Sequence, residues 1–219
     1  MAYDIDPEDS RIIKQDYLIL DLDYKEGRCI IGNPPYGMKN TLAMQFFKKS
    51  IQLGDYISFI LTASQYNNNN QLYEFDLVHS ELISNKDFKD LDKRVDLVFN
   101  VYKRPSHGGF NTKPNYKLND VEIIEVRNGN KAVQDYDLRI MAWGGSIIGG
   151  KIVIGCEVEY ENQYAKEFCI KIINNKYKDK ILSLIRSADW RSLYKMPSPP
   201  NLLQWQVYKY IKEQIPEIY

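Results

Sequence analysis

The sequence contains too few cysteines and too little net charge for several common classes of protein. Its three cysteines, Cys29, Cys156 and Cys169, are an odd number without Cys-x-x-Cys spacing. This pattern argues against a disulfide framework and against a zinc site, and it predicts a reducing, cytoplasmic environment. The 29 basic and 29 acidic residues cancel, so no overall charge attracts the chain to nucleic acid.

Long apolar runs and clustered metal ligands are also missing. No run approaches the roughly 20 residues that a helix needs to cross a bilayer, and the acidic N-terminus is unlike a signal peptide. We therefore expect no membrane partner. The two histidines, His79 and His107, have no second His or Cys at metal spacing, so we also predict no metal site.

What remains has the composition of an ordinary globular chain. Of its 219 residues, 44% are hydrophobic and 26% are charged, which fits one domain or one domain with a small appendage. The pattern of residue types changes beyond about residue 128, where glycines interrupt apolar stretches. We therefore predict a core over residues 1–128 and a separate C-terminal region over residues 129–219.

The most distinctive stretch is a short apolar run that ends in Asn33, Pro34, Pro35 and Tyr36. The run, residues 29–32, suits a buried strand, and the two prolines end it because they donate no backbone hydrogen bond. Each proline also fixes its φ near about −65°, so the segment is already ordered before it meets a ligand.

These four residues have the chemistry to hold a planar base that carries an amino group. The side-chain carbonyl of Asn33 and a neighbouring backbone carbonyl can accept both hydrogens of an exocyclic amine. The ring of Tyr36 can stack on the base. We therefore regard residues 33–36 as a candidate catalytic segment.

Two acids near the N-terminus are candidate ligand-binding residues. Asp4 and Asp16 each follow a short apolar or aromatic stretch, and ligands of open α/β sheets bind where strands end. An acid in such a place can accept both hydroxyls of a ribose, and Asp6 competes with Asp4 for that role. The alternative is an acidic, solvated surface, which is the common fate of such residues.

The hydrophobic pattern predicts alternating elements in the first part of the chain. We expect a helix that Asn40 or Thr41 caps and that runs to about residue 53, with its face of Leu42 and Phe46 in the core. A buried strand is expected over residues 55–62 and a second helix over residues 71–84. Residues 94–102 and 121–126 then alternate as two strands that would pair antiparallel.

The C-terminal region predicts β structure followed by helices. The apolar pattern of residues 140–155 predicts a strand that glycines interrupt, and residues 168–173 predict another strand. Helices are expected over residues 176–187 and 204–214. The cations of the first of these helices would either face a DNA backbone or be solvated.

A loop between the two alternating strands contains cations, aromatics and glycines. Lys103, Arg104 and Lys113 lie in this exposed stretch, which suits contacts to phosphates and unstacked bases. A solvated hairpin loop is an equally good interpretation, because charged residues collect in loops anyway.

The tetrapeptide of residues 33–36 after an apolar strand resembles the catalytic motif of the S-adenosylmethionine-dependent N6-adenine DNA methyltransferases. Residues 2–7 and 12–18 resemble the strands of that family that meet the cofactor. Residues 55–66 and 94–102 resemble its later core strands. The resemblance covers roughly the first 130 residues, and no such resemblance extends to the rest of the chain.

The resemblance implies an α/β fold with a Rossmann-like class I methyltransferase sheet that lacks its first strand, followed by a small α+β C-terminal region that would recognise the DNA target. Asp4 would bind the cofactor ribose, and Asp16 would accept from the cofactor adenine, with Tyr17 or Leu18 against its face. The substrate would be an adenine flipped out of DNA and held by the Asn33 segment.

One departure from the family pattern leaves three hypotheses. The family opens with a strand and a Gly-rich turn, whereas here no glycine occurs before Gly27. The chain is then a methyltransferase that has lost this part, or a DNA-binding or partner-dependent module without activity of its own. The third hypothesis is an enzyme acting on another amine, such as RNA adenine or protein glutamine. A partner subunit or a preceding segment would complete the cofactor pocket.

Overall fold

The chain folds as two units, Met1–Pro114 and Asn115–Tyr219. The computed structural model describes residues 1–83, 97–127, 133–148, 151–159, 163–196 and 199–219. The division comes before the boundary expected at residue 128, because the strand Val121–Arg127 pairs within the second unit. Among the described helices, none has the length and apolar character to cross a membrane.

The first unit is a mixed α/β arrangement with two separate sheets. Its elements are β1 (Tyr3–Asp4), β2 (Ile13–Lys14), β3 (Cys29–Gly32), α1 (Thr41–Ser50), β4 (Tyr56–Thr62), β5 (Asp76–Ile83) and β6 (Leu97–Lys103). Strands β1 and β2 form a parallel pair, and the other four strands follow the order β3-β4-β6-β5. Strand β3 is parallel to β4, and β6 is antiparallel to both of its neighbours.

Helix α1 and strand β4 confirm the predicted helix and buried strand, although α1 ends before residue 53. The helix packs on one face of the four-stranded sheet through Phe47, which is fully buried. The ring of Phe47 meets the rings of Phe75 and Tyr102 edge-on, with centroids 6.1 and 4.9 Å away. These contacts centre the core of the first unit on α1, β4 and β6.

A close backbone approach fixes the turn between α1 and β4. A Cβ atom added at Gly54 would lie 2.5 Å from the carbonyl oxygen of Arg28, nearer than non-bonded atoms approach. Only glycine therefore lets the start of β4 lie against the residue that precedes β3.

The expectation that β3 is buried is wrong. It is an edge strand, and the side chain of Ile31 is 78% exposed. A short apolar run does not by itself reveal how many neighbours a strand has, so its pattern suggested a central position.

The expected second helix and the expected antiparallel pair are also wrong. Residues Asp76–Ile83 form strand β5, which pairs with β6. A register shift between Leu77 and His79 interrupts the alternation by which a strand is recognised. Strand β6 pairs with β4 and β5 rather than with the later strand, because its side chains complete the core around Phe47.

The second unit is built on an antiparallel sheet with helices. Its elements are β7 (Val121–Arg127), β8 (Leu138–Met141), β9 (Ser146–Ile148), β10 (Lys151–Val153), β11 (Lys166–Ile172), α2 (Lys178–Ser187), α3 (Trp190–Leu193) and α4 (Gln204–Gln214). The three-stranded sheet has the order β7-β11-β8. The strand and both helices expected in this region are confirmed in type, and Ile181, Ile185 and Ile211 are buried as their spacing predicts.

Truncating Phe47 tests the core of the first unit. We expect Phe47→Ala to lower the free energy of unfolding by about 3–5 kcal/mol, because a cavity remains where the ring met two aromatic neighbours. Val78→Ala, at a strand position that is 55% exposed, should change it by no more than about 0.5 kcal/mol. Urea titration followed by circular dichroism measures both, and similar losses in the two variants would contradict this description of the core.

Candidate active site

One open cleft in the first unit collects the residues predicted to bind a cofactor. It has a volume of about 650 Å³, and Asp4, Asp16, Tyr17 and Asn33 all line it. Pro34 and Pro35 line it as well, whereas Tyr36 is not among its lining residues.

Each of the three polar residues lies at or just beyond the carboxyl end of a strand. Strand β1 ends at Asp4, β2 ends two residues before Asp16, and β3 ends immediately before Asn33. Within each parallel pair, β1 with β2 and β3 with β4, the carboxyl ends of the strands lie at the same edge of the sheet, which is where ligands bind in open α/β folds.

The Asn33 segment is held by its own aromatic residue. The hydroxyl of Tyr36 donates a hydrogen bond to Asn33 Oδ1 over 3.1 Å. Burial raises the pKa of Tyr36, so its hydroxyl stays protonated and able to donate at neutral pH. Asn33 itself is exposed and Pro34 is buried, which leaves the carboxamide open to a ligand on a fixed backbone.

A polar tether fixes the turn that follows this segment. Asn40 Nδ2 donates to Ser64 Oγ over 3.2 Å, and Thr62 Oγ1 donates to Asn40 Oδ1 over 3.1 Å. Asn40 has a φ of 62° and gives α1 no side-chain cap, contrary to the expected capping role. Its side chain instead binds the turn after β3 to the end of β4.

Both candidate acids keep part of their accepting capacity. Asp4 Oδ1 accepts from the backbone N–H of Asp6, and Asp16 Oδ1 accepts from that of Leu18, each over 2.8 Å. Within the described residues, neither second carboxylate oxygen has a protein partner. Asp6, the alternative to Asp4, pairs with Lys14 and is not among the lining residues.

Tyr17 forms a rigid wall of the cleft. Its hydroxyl shares a hydrogen bond of 2.7 Å with Ser50 Oγ, and its ring stacks on Phe46 with centroids 5.2 Å apart. Burial raises the pKa of Tyr17. The ring is therefore held in place by α1 before any ligand arrives.

The sequence reasoning missed the apolar part of the wall. Leu42, Phe46 and Phe59 also line the cleft, although the Leu/Phe face of α1 was expected to lie wholly in the core. The four-residue spacing of Leu42 and Phe46 places them on one face of the helix, but spacing alone does not show where the core ends.

The three cations predicted to bind DNA differ in their surroundings. Lys103 and Lys113 are exposed, and their DNA contacts stay a prediction. Arg104 Nε lies 2.6 Å from Asp55 Oδ1, and its Nη2 donates to the carbonyl oxygen of Ile51. Its guanidinium also faces three rings at 4.9 to 5.3 Å, those of Tyr24, Phe75 and Phe110. These contacts give Arg104 a structural role and leave little of it for a phosphate.

Two of the cations on α2 are likewise paired within the second unit. Lys178 pairs with Asp137, and Arg186 Nε lies 2.9 Å from Glu157 Oε2. In the part of the chain that the structure describes, no three His, Cys, Asp or Glu side chains are grouped as metal ligands.

Comparison of the chain with known proteins finds no match among family models, curated proteins or solved structures. Function is therefore inferred from the residues of the cleft and of the Asn33 segment.

The ion pair of Arg104 centres on a carboxylate that accepts hydrogen bonds from three residues. Asp55 accepts hydrogen bonds from the backbone N–H of Gly27, the hydroxyl of Tyr24 and the guanidinium of Arg104. Burial alone would raise the pKa of Asp55, but these donors together lower it below its ordinary value.

Replacing Asp55 should therefore change how stability depends on pH. Because its pKa is lower in the folded state, Asp55 stabilises the fold above its unfolded pKa of about 3.9, and this stabilisation is lost as the pH falls through the folded value. We expect Asp55→Asn to lower the free energy of unfolding by about 1–3 kcal/mol at pH 7. On acidification the variant should lose less stability than the wild type. Urea titrations between about pH 6 and pH 2 measure this difference.

The matched control is Asp21→Asn, at an exposed acid in the same unit. Its pH dependence should follow that of the wild type. If the Asp55→Asn curve also ran parallel to the wild type at every pH, the ion pair would have no measurable part in stability.

Proposed function

We propose that this chain is an adenine-N6 DNA methyltransferase, or the base-binding part of one, of restriction-modification or phage type and cytoplasmic. One observation carries the proposal. The carboxylates of Asp4 and Asp16 and the carboxamide of Asn33 line one cleft, while Tyr36 is hydrogen-bonded to Asn33. These are the groups that binding an adenosine moiety and a second adenine requires.

The arrangement of strands supports the proposal. Strand, helix and parallel strand follow one another from β3 through α1 to β4, and the sheet continues with an antiparallel strand, β6. This is compatible with a Rossmann-like methyltransferase sheet, whose antiparallel part lies at the end of the chain's core.

The cleft fits one half of S-adenosylmethionine better than the other. The free oxygens of Asp4 and Asp16 suit ribose hydroxyls and an adenine amine, and the rings of Tyr17 and Phe46 offer apolar surface to the base. The methionine half carries a carboxylate, yet among the residues that line the cleft none is basic. We therefore expect the adenosine half to provide most of the affinity.

The chain's own residues would act on the substrate adenine. Asn33 Oδ1 and the backbone carbonyl of Pro34 would accept hydrogen bonds from its amine, which draws electron density to the nitrogen that attacks. Tyr36 would stack on the base and, through its hydroxyl, keep the carboxamide of Asn33 oriented. The bound cofactor would supply an electrophilic methyl group.

A second candidate is a partner-dependent module without activity of its own. The observation in its favour is the lack of a basic group for the methionine carboxylate in the cleft. The same acceptors would also hold another amine, so RNA adenine and protein glutamine remain alternative substrates.

Removing the carboxamide of Asn33 tests the proposed chemistry. We expect Asn33→Ala to lower methyl transfer to DNA by at least about 100-fold, the usual cost of losing one preorganised hydrogen-bonding group. DNA affinity should change little, because phosphate contacts dominate it. Transfer of tritiated methyl groups to DNA, RNA and protein measures the activity and identifies the substrate.

Asn119→Ala, at an exposed asparagine of the second unit, is the control and should keep wild-type activity. An Asn33→Ala protein that retains most methyl transfer would refute the role of the Asn33 segment. A wild-type chain that transfers methyl groups only when a partner is added would favour the second candidate.

Cofactor affinity tests the cleft separately. We expect calorimetry of the 219-residue chain to find binding of S-adenosylmethionine weaker than micromolar, because its methionine end lacks a partner. Asp16→Ala should weaken the binding further by about tenfold, the cost of one charge-assisted hydrogen bond, and Asp23→Ala should not. Micromolar or tighter affinity would contradict this description of the cleft.

A further inference from the structure

The side chains of Asn40, Thr62 and Ser64 form a closed ring of hydrogen bonds. Asn40 Nδ2 donates to Ser64 Oγ over 3.2 Å, and Thr62 Oγ1 donates to Asn40 Oδ1 over 3.1 Å. The hydroxyl oxygens of Thr62 and Ser64 lie 2.7 Å apart. Because the single hydrogen of Thr62 already goes to Asn40, Ser64 donates the third bond. Each bond polarises the next, so removing one member weakens the other two.

One side of the ring is anchored in the core of the first unit. Thr62 is the last residue of β4, and Ser64 follows it in a short 3₁₀ turn. The carbonyl oxygen of Ser64 accepts from Asn68 Nδ2, and that of Gln65 accepts from Asn100 Nδ2 of β6, each over 2.9 Å. Asn68 is 6% exposed and Asn100 is fully buried. This side of the ring is therefore fixed to β4 and β6.

The other side of the ring belongs to the turn that follows Tyr36. Gly37 and Asn40 both have left-handed backbone, with φ of 65° and 62°, and the 3₁₀ turn Met38–Asn40 lies between this glycine and α1. A Cβ atom added at Gly37 would lie 3.0 Å from Leu42 Cγ, so the turn packs closely on the start of α1. Left-handed residues other than glycine are uncommon and collect at ligand-binding sites.

We infer that Asn40, Thr62 and Ser64 are positioning residues that hold the Asn33 segment in its binding geometry. Strand β3 fixes one end of the segment, and the ring fixes the turn at the other end. Tyr36 lies between the two ends, and its hydroxyl reaches Asn33 Oδ1 over 3.1 Å. None of the three ring residues is among the described residues that line the cleft. They therefore act through Tyr36 and not by contact with a cofactor.

Backbone dynamics test the inference without any reaction. Thr62→Val replaces the hydroxyl with a methyl group of similar size, whereas Thr62→Ser keeps the hydroxyl. We expect NMR relaxation to give the amides of Tyr36 and Gly37 order parameters of about 0.85 in the wild type and about 0.6 or below in Thr62→Val. Thr62→Ser should match the wild type. Equal order parameters in the wild type and Thr62→Val would overturn the inference.

Two left-handed asparagines provide a matched pair of variants. Asn40 and Asn67 have φ of 62° and 45°, a conformation that glycine adopts without strain. Asn40→Gly removes a side chain from the ring, and Asn67→Gly removes an exposed one outside it. The first should loosen Tyr36 and Gly37, and the second should not. Equal loosening by both would show that the loop and not the ring holds the segment, which would refute the inference.

Two further measurements support this comparison. Slow hydrogen exchange of the buried Phe47 amide shows that each variant is folded. The double variant of Asn40→Gly and Thr62→Val should be no looser than Asn40→Gly alone, because both changes open the same ring. Additive loosening would contradict a single ring.

Kinetics test whether the held geometry serves catalysis, and this step rests on the proposed function. We expect Asn40→Gly and Thr62→Val to lower kcat for methyl transfer to DNA by at least about tenfold, because small displacements of Asn33 and Tyr36 misplace the adenine. The Kd of S-adenosylmethionine should change by no more than about twofold, since the acids that would bind it lie on other strands. Thr62→Ser should restore kcat, and Asn67→Gly should leave it unchanged. A parallel loss of cofactor affinity would overturn the positioning role.

The failure of this inference differs from the failure of the proposed function. A wild type that transfers no methyl group, but whose segment loosens only when the ring is opened, would refute the proposed reaction and leave the holding role established. An active wild type whose Asn40→Gly and Thr62→Val variants loosen the segment yet keep kcat would refute the positioning role alone.

Discussion

The parallel pairing of β3 with β4 is the constraint on which the candidate site depends. Cys29 lies opposite Tyr56 and Gly32 opposite Phe59, and the pairing stops where Pro34 offers no N–H to continue it. Asn33 is therefore presented at the strand end on a backbone with little freedom. The tether from Asn40 to the end of β4 holds the next turn in the same relation, so the site is defined by two strand ends rather than by a loop.

A second constraint supports the opposite end of these strands. Asp55, just before β4, binds the backbone of Gly27 before β3 and the guanidinium of Arg104 after β6. These contacts join β3, β4 and β6 at the end of β3 and β4 that lies opposite the cleft. This arrangement separates stability from chemistry, because the half-buried ion pair of Asp55 and Arg104 lies away from the residues that a ligand would meet.

Apolar spacing along the sequence predicts the helices and strands that have strong periodicity. The structure of the other segments depends on pairing with strands that are distant in sequence, which local patterns do not show. Helices α1, α2 and α4 and strand β4 follow from their apolar spacing, and the strand-end argument selected Asp4, Asp16 and Asn33, which line one cleft. The pattern of residues 71–84 predicts a helix where strand β5 lies, because a register shift hides the alternation of the strand. Local sequence predicts a surface position for Arg104, since its partner Asp55 is far away in sequence. Spacing places Phe46 in the core, because it cannot show which end of a helix face opens to a cleft.

The turn at Gly54 shows how structural and functional requirements can be told apart in a library of random variants. Any side chain there collides with the carbonyl of Arg28, so selection for soluble protein alone should remove every substitution at position 54. The exposed carboxamide of Asn33 is not needed for folding, so substitutions at position 33 should survive that selection. Depletion at position 33 would then report on activity, whereas depletion at position 54 would report only on folding.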